Sequence, residues 1–258
     1  MLTIEEVTAG YGKLIVLHSV SLAIAPGQFV AVLGANGSGK STLLKSIFGL
    51  ADLFSGAIRL EGVSLRGLPT EAVSRQGIAY VPQRQNVFPA LTVRENLLLA
   101  VRRHDPRTVD NLFERAYALF PILEQRLAQR AGQLSGGERQ MLAIAIGWLA
   151  QPRLMLLDEP TAGLAPRFVD EVLRTLKKLA ADGLALMVVE QNARSILRWC
   201  DYAYILREGS LVFQGSADEI LAGLRRQPDL AHVRDIEQAA GRAGVQVLAE
   251  NAHRVLHR

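Results

Sequence analysis

Hydrophobic and polar positions follow different periods in different parts of the chain. At the start, the short stretches LTIEEVT, VLHSVSLAI and AIRLEG are separated by glycine, proline or serine, which predicts a small β-rich layer. Set into it is the unbroken apolar run Phe29 to Leu33, followed by a glycine-rich turn and the helix-like segment STLLKSIFGL. A second short run, Ile78 to Val81, is stopped by Pro82. From about residue 92 alternation gives way to helical spacing, and an inserted helical lobe is expected over about 84–150. Leu154 to Leu157 and Leu184 to Val189 are continuous apolar runs of strand length that end in acidic or amide residues, as buried parallel strands do at their carboxyl ends. AYIL and LVFQG predict a hairpin turned by Arg207-Glu208-Gly209-Ser210, and Ser216 with Glu219 has capping-box spacing ahead of a helix. A weakly patterned tail follows, and there is no internal repeat.

Composition narrows this picture modestly. A chain of 258 residues, 49% hydrophobic and 21% charged, is a folded protein of one to two domains rather than a disordered or disulfide-stapled one. Lysine and arginine number 29 against 25 acidic residues, and the net charge of +4 does not demand nucleic acid. The one cysteine, Cys200, has no intramolecular partner, which fits a reducing compartment. The opening MLTIEEV carries Glu5 and Glu6 where a secretion signal needs positive charge, and the longest uncharged apolar stretch, Met141 to Ala150, is about half of the roughly 20 residues that span a bilayer. A chain soluble by itself is expected.

Three motifs carry chemistry. Gly34-Ala35-Asn36-Gly37-Ser38-Gly39-Lys40-Ser41-Thr42 matches the P-loop pattern, whose glycines let backbone N–H groups close around phosphate oxygens. A strand precedes it and a helix begins at its end, so the helix N-terminus adds partial positive charge. Lys40 would reach the β and γ phosphates and the Ser41 hydroxyl would ligate Mg²⁺. Second, Leu154-Met155-Leu156-Leu157-Asp158-Glu159 delivers two carboxylates to a strand end. If the chain turns just after Asp158 the two acids have two jobs: Asp158 holds Mg²⁺, directly or through water, and Glu159 polarises the attacking water. An acidic pair ending a strand in solvent is the plainer alternative. Third, Leu134-Ser135-Gly136-Gly137-Glu138 has capping-box spacing and could be only a helix start. Two glycines in a first turn nevertheless cost up to about 1 kcal/mol each against alanine, so something is expected to need bare backbone there, and an anion docking on exposed N–H groups would supply the reason.

Together the P-loop, LSGGE and LLDEP resemble the ATP-binding subunits of ABC transporters, from about Met1 to Gly223. The resemblance implies an α/β fold: a P-loop NTPase core with a mostly parallel sheet, an N-terminal antiparallel β layer and an inserted α-helical subdomain, with 224–258 as an extension. It implies a head-to-tail dimer in which each ATP lies between the P-loop of one copy and the LSGGE helix, with Ser135 and Gly137, of the other. Tyr11 would then stack on adenine and Gln83 would be the Q-loop residue touching Mg²⁺; without the resemblance they read as a turn aromatic and a solvated loop residue.

Two positions depart from the family pattern. Gln191 stands where most members place a histidine against the γ-phosphate; it can donate a hydrogen bond but carries no charge. The loop after Glu159 ends in Ala165 rather than aspartate. DEPTAGLAP, VVEQNA and VFPALTVRENL closely resemble one branch, the second ATP-binding subunits of branched-chain amino acid importers, within which the glutamine is a lineage feature. An active site with Glu159, Gln191 and Lys40 as catalytic residues is expected, and a nucleotide-binding regulatory subunit with weak hydrolysis is the alternative. The implied partners are two membrane permease subunits docked along Gln83 to Asn96, a sister ATPase in a hetero- or homodimer and, indirectly, a periplasmic binding protein; nucleic acid is not among them. The implied location is the cytoplasmic face of a bacterial inner membrane, with urea or a short amide as alternative cargo. In the tail, arginines barely outnumber carboxylates, too little for lipid binding, and Leu230, Val233 and Ile236 recur at spacing three as a short amphipathic helix would.

Overall fold

The computed structural model describes residues 1–102 and 104–226, so the tail helix expected around Leu230 to Ile236 lies outside the described residues. The chain runs β1 (Leu2–Tyr11), β2 (Leu14–Ile24), β3 (Phe29–Leu33), α1 (Lys40–Ile47), β4 (Asp52–Leu60), β5 (Val63–Ser64), α2 (Thr70–Arg75) and β6 (Ile78–Val81). The helical stretch follows as α3 (Val93–Val101), α4 (Pro106–Leu119), α5 (Pro121–Gln125), a 3-10 turn at Ala131–Gln133 and α6 (Gly136–Leu149). Then come β7 (Leu154–Asp158), α7 (Pro166–Ala181), β8 (Ala185–Glu190), α8 (Ala193–Ile196), β9 (Tyr202–Arg207), β10 (Ser210–Ser216) and α9 (Ala217–Arg226).

The first layer is an antiparallel sheet in the order β2-β1-β4-β5. Along β1, Leu2 and Ile4 are buried at even positions and Val7 and Ala9 at odd ones, which a strict period of two cannot achieve. Bulges reconcile them: the register shifts between Ile4 and Val7, and Glu6 adopts a φ of 47°. Opposite this kink the backbones are so close that a Cβ on Gly56 would lie 2.5 Å from the carbonyl oxygens of Glu5 and Glu6, and Gly56 itself stands at φ 82°.

The main sheet has the order β10-β9-β3-β8-β7-β6. From β9 to β6 neighbouring strands are parallel, and β10 closes the edge antiparallel to β9. The expected hairpin is therefore no separate unit, since β9 extends the parallel core beside β3. Alternation gives each strand two apolar faces. Phe29, Ala31, Leu33, Met155, Leu157, Leu186 and Val188 face the core shared with the helical lobe and α7, while Val30, Val32, Leu154, Leu156, Met187 and Val189 face α1 and the antiparallel sheet. Fully burying one such valine, leucine or phenylalanine stabilises by about 1.5–3 kcal/mol, against the entropy of ordering it.

Helices α3 to α6 lie where helical spacing begins, and α3 starts on a complete capping box, Thr92 with Glu95. Between the acidic pair and β8, where no helix is expected from the motifs, α7 fills sixteen residues. Its signal was available: Val172, Leu173, Leu176, Leu179 and Ala180 are all buried, at helical spacing. No helix among the described residues is long and apolar enough to cross a membrane.

Candidate active site

Four strands end at one rim of the main sheet, where ligands of open α/β sheets bind. β3 leads into the P-loop, β6 into Gln83, β7 into Asp158 and Glu159, and β8 into Gln191. Gly39 takes a φ of 100° at the N-cap of α1, and a Cβ on Gly34 would lie 2.3 Å from Ser38 Oγ and 2.4 Å from the Leu206 carbonyl, so both positions require glycine. The start of α1 has no side-chain cap and no acidic residue in its first turn. Its first N–H groups meet no side-chain acceptor, an arrangement suited to an anion, with Asn36, Gly37 and Ser38 in the loop before it. Lys40 is buried, and its Nζ donates to the carbonyls of Gly34 at 2.9 Å and Ala35 at 3.0 Å. The same ammonium lies 3.5 Å from Glu159 Oε1, which ties the phosphate loop to the acid. The turn between β9 and β10 braces the loop from below, Gly209 N–H donating to the Ser38 carbonyl at 3.0 Å.

The two acids separate as the strand-end argument requires. Asp158 still belongs to β7 and accepts from Ser41 Oγ at 2.8 Å and from the Tyr80 hydroxyl at 3.2 Å. Burial pushes its carboxyl above the ordinary carboxylate range, and these two hydrogen bonds oppose that push. Glu159 has left the strand with a φ of 46° and bonds a different set of side chains. Gln83 Nε2 donates to its Oε2 at 2.8 Å, and Gln191 Nε2 to Oε1 and Oε2 at 2.8 and 2.9 Å. With its nitrogen on Glu159, Gln83 has its amide oxygen left for a cation. Ser41, Asp158 and Gln83 are thus a set of hard oxygen donors with one carboxylate, which fits Mg²⁺ shared with phosphate oxygens. Among the described residues no cluster of three or more His, Cys, Asp or Glu could hold a metal by protein ligands alone.

Tyr11 stands beside α1, 39% exposed, with its hydroxyl 3.5 Å from Thr42 Oγ1 and Lys45 Nζ 6.0 Å from the ring centroid. An open aromatic face next to a phosphate loop is suited to stacking a base. Ser135 and Gly137 are not brought to this P-loop: the hydrogen bonds of Ser135 stay within α6, where Ser135 Oγ accepts from Glu138 N–H at 3.3 Å and Glu138 Oε2 from Ser135 N–H at 2.8 Å. Those bonds to Ser135 hold the Glu138 carboxyl below its ordinary range despite burial. The bare backbone at Gly137 also has a plainer cause than an anion, because a Cβ there would lie 2.5 Å from Cγ of Phe168 on α7.

Three side chains at the site escape the sequence reading. Tyr80 interrupts the apolar run of β6 and braces Asp158. Asn86 links the segment after Gln83 to α6, its Nδ2 donating to Gln140 Oε1 at 3.2 Å. Glu190 is buried to 3% exposure at the end of β8 and accepts two hydrogen bonds from Thr161. Its signal was an acid directly after a buried apolar run, beside the more conspicuous Gln191.

The family model of ABC transporters matches residues 17–162. Among known relatives, the chain is 41% identical over 221 residues to the high-affinity branched-chain amino acid transport ATP-binding protein BraG of Pseudomonas aeruginosa, covering 86% of this chain and 95% of that protein. It is 44% identical over 222 residues to the probable branched-chain amino acid transport ATP-binding protein LivF of Archaeoglobus fulgidus, covering 86% and 94%. Among solved structures, a nucleotide-free ATP-binding cassette superposes with a TM-score of 0.80 at 23% identity, over 91% of this chain and 98% of that one, a likeness of fold. A dimeric cassette in a post-hydrolysis state with ADP and phosphate bound gives a TM-score of 0.74 at 27% identity, over 84% and 99%. Strand-end geometry and kinship lead to the same place, and the chain belongs to the ABC transporter family, as an ATP-binding and ATP-hydrolysing subunit.

Proposed function

We propose that the chain, with residues 1–223 as its cassette, powers an importer of branched-chain amino acids by hydrolysing ATP at the rim described above. The P-loop and Lys40 bind the phosphates, Tyr11 stacks on adenine, and Ser41, Asp158 and Gln83 hold Mg²⁺, which screens phosphate charge when bound. Glu159 takes a proton from the attacking water while Gln191 orients the carboxylate and the water. Most of the rate comes from positioning and from fixed positive charge around the phosphates. Ser135 and Gly137 serve the nucleotide of a partner copy, a role for which the dimeric relative is the support.

One observation carries the reading. The Glu159 carboxylate is held by two amide side chains and lies 3.5 Å from the P-loop lysine, which supports Glu159 as the base. The same contacts favour an active ATPase over a regulatory subunit, since Gln191 supplies a fixed donor where the family histidine would stand. Ala165 is the N-cap of α7 without a side-chain bond, and Pro166 at the first helical position presets the turn, so the helix start does not need the aspartate. The branched-chain cargo rests on the two relatives and on sequence likeness, and the permeases would dock along Gln83 to Asn96 at the cytoplasmic face of the membrane.

Glu159→Gln keeps the shape of the side chain and removes the base. ATP binding should be retained, and turnover should fall by about 10²-fold or more. Turnover close to the parent value would remove Glu159 from the role. Co-expression with candidate permeases and leucine uptake into vesicles tests the cargo.

A further inference from the structure

Glu190 is a carboxylate at this rim that neither nucleotide binding nor the metal set uses, and it is almost wholly buried. Its Oε1 accepts from the Thr161 N–H at 2.9 Å and from the Thr161 hydroxyl at 2.7 Å, and the backbone of Gln191 also bonds its carboxyl. Two residues earlier, the Glu159 N–H donates to the Val189 carbonyl at 3.0 Å. Residues 159–161 are therefore fastened to the end of β8 twice, once through backbone and once through the Glu190 side chain. Between the two fastenings Glu159 stands at φ 46°, in the left-handed region that a non-glycine residue keeps only when its surroundings over-determine it. The residue after Glu190 is Gln191, whose amide holds the Glu159 carboxylate from the other side. Glu159, Thr161, Glu190 and Gln191 all line one cavity of 670 Å³.

We propose that Glu190 is a positioning residue for ATP hydrolysis: its buried oxygen anchors Thr161 to the end of β8 and so holds Glu159 and Gln191 in one geometry around the attacking water. The proposal rests on Glu159 being the base, and Glu190 itself touches no reacting atom. An apolar side chain could fill the same space, but it would leave the buried N–H and hydroxyl of Thr161 without an acceptor. Burial pushes the Glu190 carboxyl above its ordinary range, and Oε1 remains an acceptor whether or not the group carries a proton.

The test uses the full chain with saturating ATP and Mg²⁺ and measures turnover, nucleotide affinity and thermal midpoint. Glu190→Ala should lower kcat on the order of tenfold or more while ATP affinity stays within about twofold, the signature of lost positioning rather than lost binding. Glu190→Gln keeps one carbonyl acceptor and should restore kcat to within about threefold. Thr161→Val, which removes the hydroxyl donor from the other side, should also lower kcat at unchanged affinity, and it decides the matter if Glu190→Ala does not fold. The proposal is overturned by unchanged turnover in Glu190→Ala or Thr161→Val, by equal losses of turnover and affinity, or by a Glu190→Gln as slow as Glu190→Ala. Glu159→Gln, measured alongside, keeps the two failures apart. A fully active Glu159→Gln removes the base on which the proposal rests, whereas an inactive one beside an unimpaired Glu190→Ala removes Glu190 alone.

Discussion

Gly137 shows how one residue can answer to two demands. It stands in the first turn of a helix whose N-terminus an anion could use, and its missing side chain makes room for the Phe168 ring, which Arg167 covers from outside at 4.6 Å. The demands separate by experiment. A Cβ at Gly137 forces the ring aside, so Gly137→Ala should destabilise the isolated chain by about 1–3 kcal/mol, as overpacking does. In the Gly137→Ala background, Phe168→Ala should then cost far less than it does in the parent, because the clash and the ring leave together. Denaturant unfolding of the four proteins measures the coupling, and additive losses would hand the glycine back to the anion. Cys200 has no such ambiguity: burial pushes its thiol up to about 12, and it serves as a small apolar side chain beneath β9.

Elements carry their own local instructions. Thr92 and Glu95 close a capping box at α3, with Thr92 N–H donating to Glu95 Oε2 at 2.7 Å and Glu95 N–H to Thr92 Oγ1 at 3.2 Å. Thr92→Ala removes the reciprocal bond and should cost about 1 kcal/mol, lowering the melting temperature by about 2–4 °C in calorimetry, with ATP turnover of the isolated chain unchanged. Elements with this kind of self-contained signal were legible in the sequence: β3, β6, β7 and β8 as apolar runs, α6 and α9 by their Ser-x-x-Glu starts, and the P-loop by its glycines. The bulge in β1 was not, because a shift of phase across Glu5 and Glu6 becomes a bulge only when β2 and β4 fix the register on either side. The same holds for Glu190. Its burial follows from β3 and β7 flanking β8, and its partner Thr161 is twenty-nine residues away in the chain.

At the scale of the whole molecule, the segment after β6 is the one that touches everything. Gln83 bonds Glu159, Asn86 bonds Gln140 on α6, and Phe88 is pinned to α3 by Asn96, whose Oδ1 accepts from the Phe88 N–H at 2.8 Å and whose Nδ2 donates to the Phe88 carbonyl at 3.0 Å. Asn96 is itself almost wholly buried, so the Phe88 backbone is fixed while the residue as a whole is left 59% exposed. On α3, Leu98 and Leu99 are also exposed, at 36% and 40%. Apolar side chains held out on a rigid backbone suit a partner that supplies an apolar counterpart, as a membrane subunit would. Gln140, whose Oε1 accepts from Asn86, lies behind the same segment with its Nε2 buried and without a hydrogen-bond partner. Phe88→Asp puts a charge on the exposed ring position without touching the rim of the main sheet. ATP turnover of the isolated chain should stay within about twofold of the parent, because Gln83, Asn86 and Asn96 keep their bonds. Co-purification with the permeases, and transport in reconstituted vesicles, should fall together by on the order of tenfold or more, as loss of a buried aromatic anchor does. Retained co-purification with lost transport would instead make Phe88 a relay between docking and Glu159, and full transport would move the docking surface elsewhere.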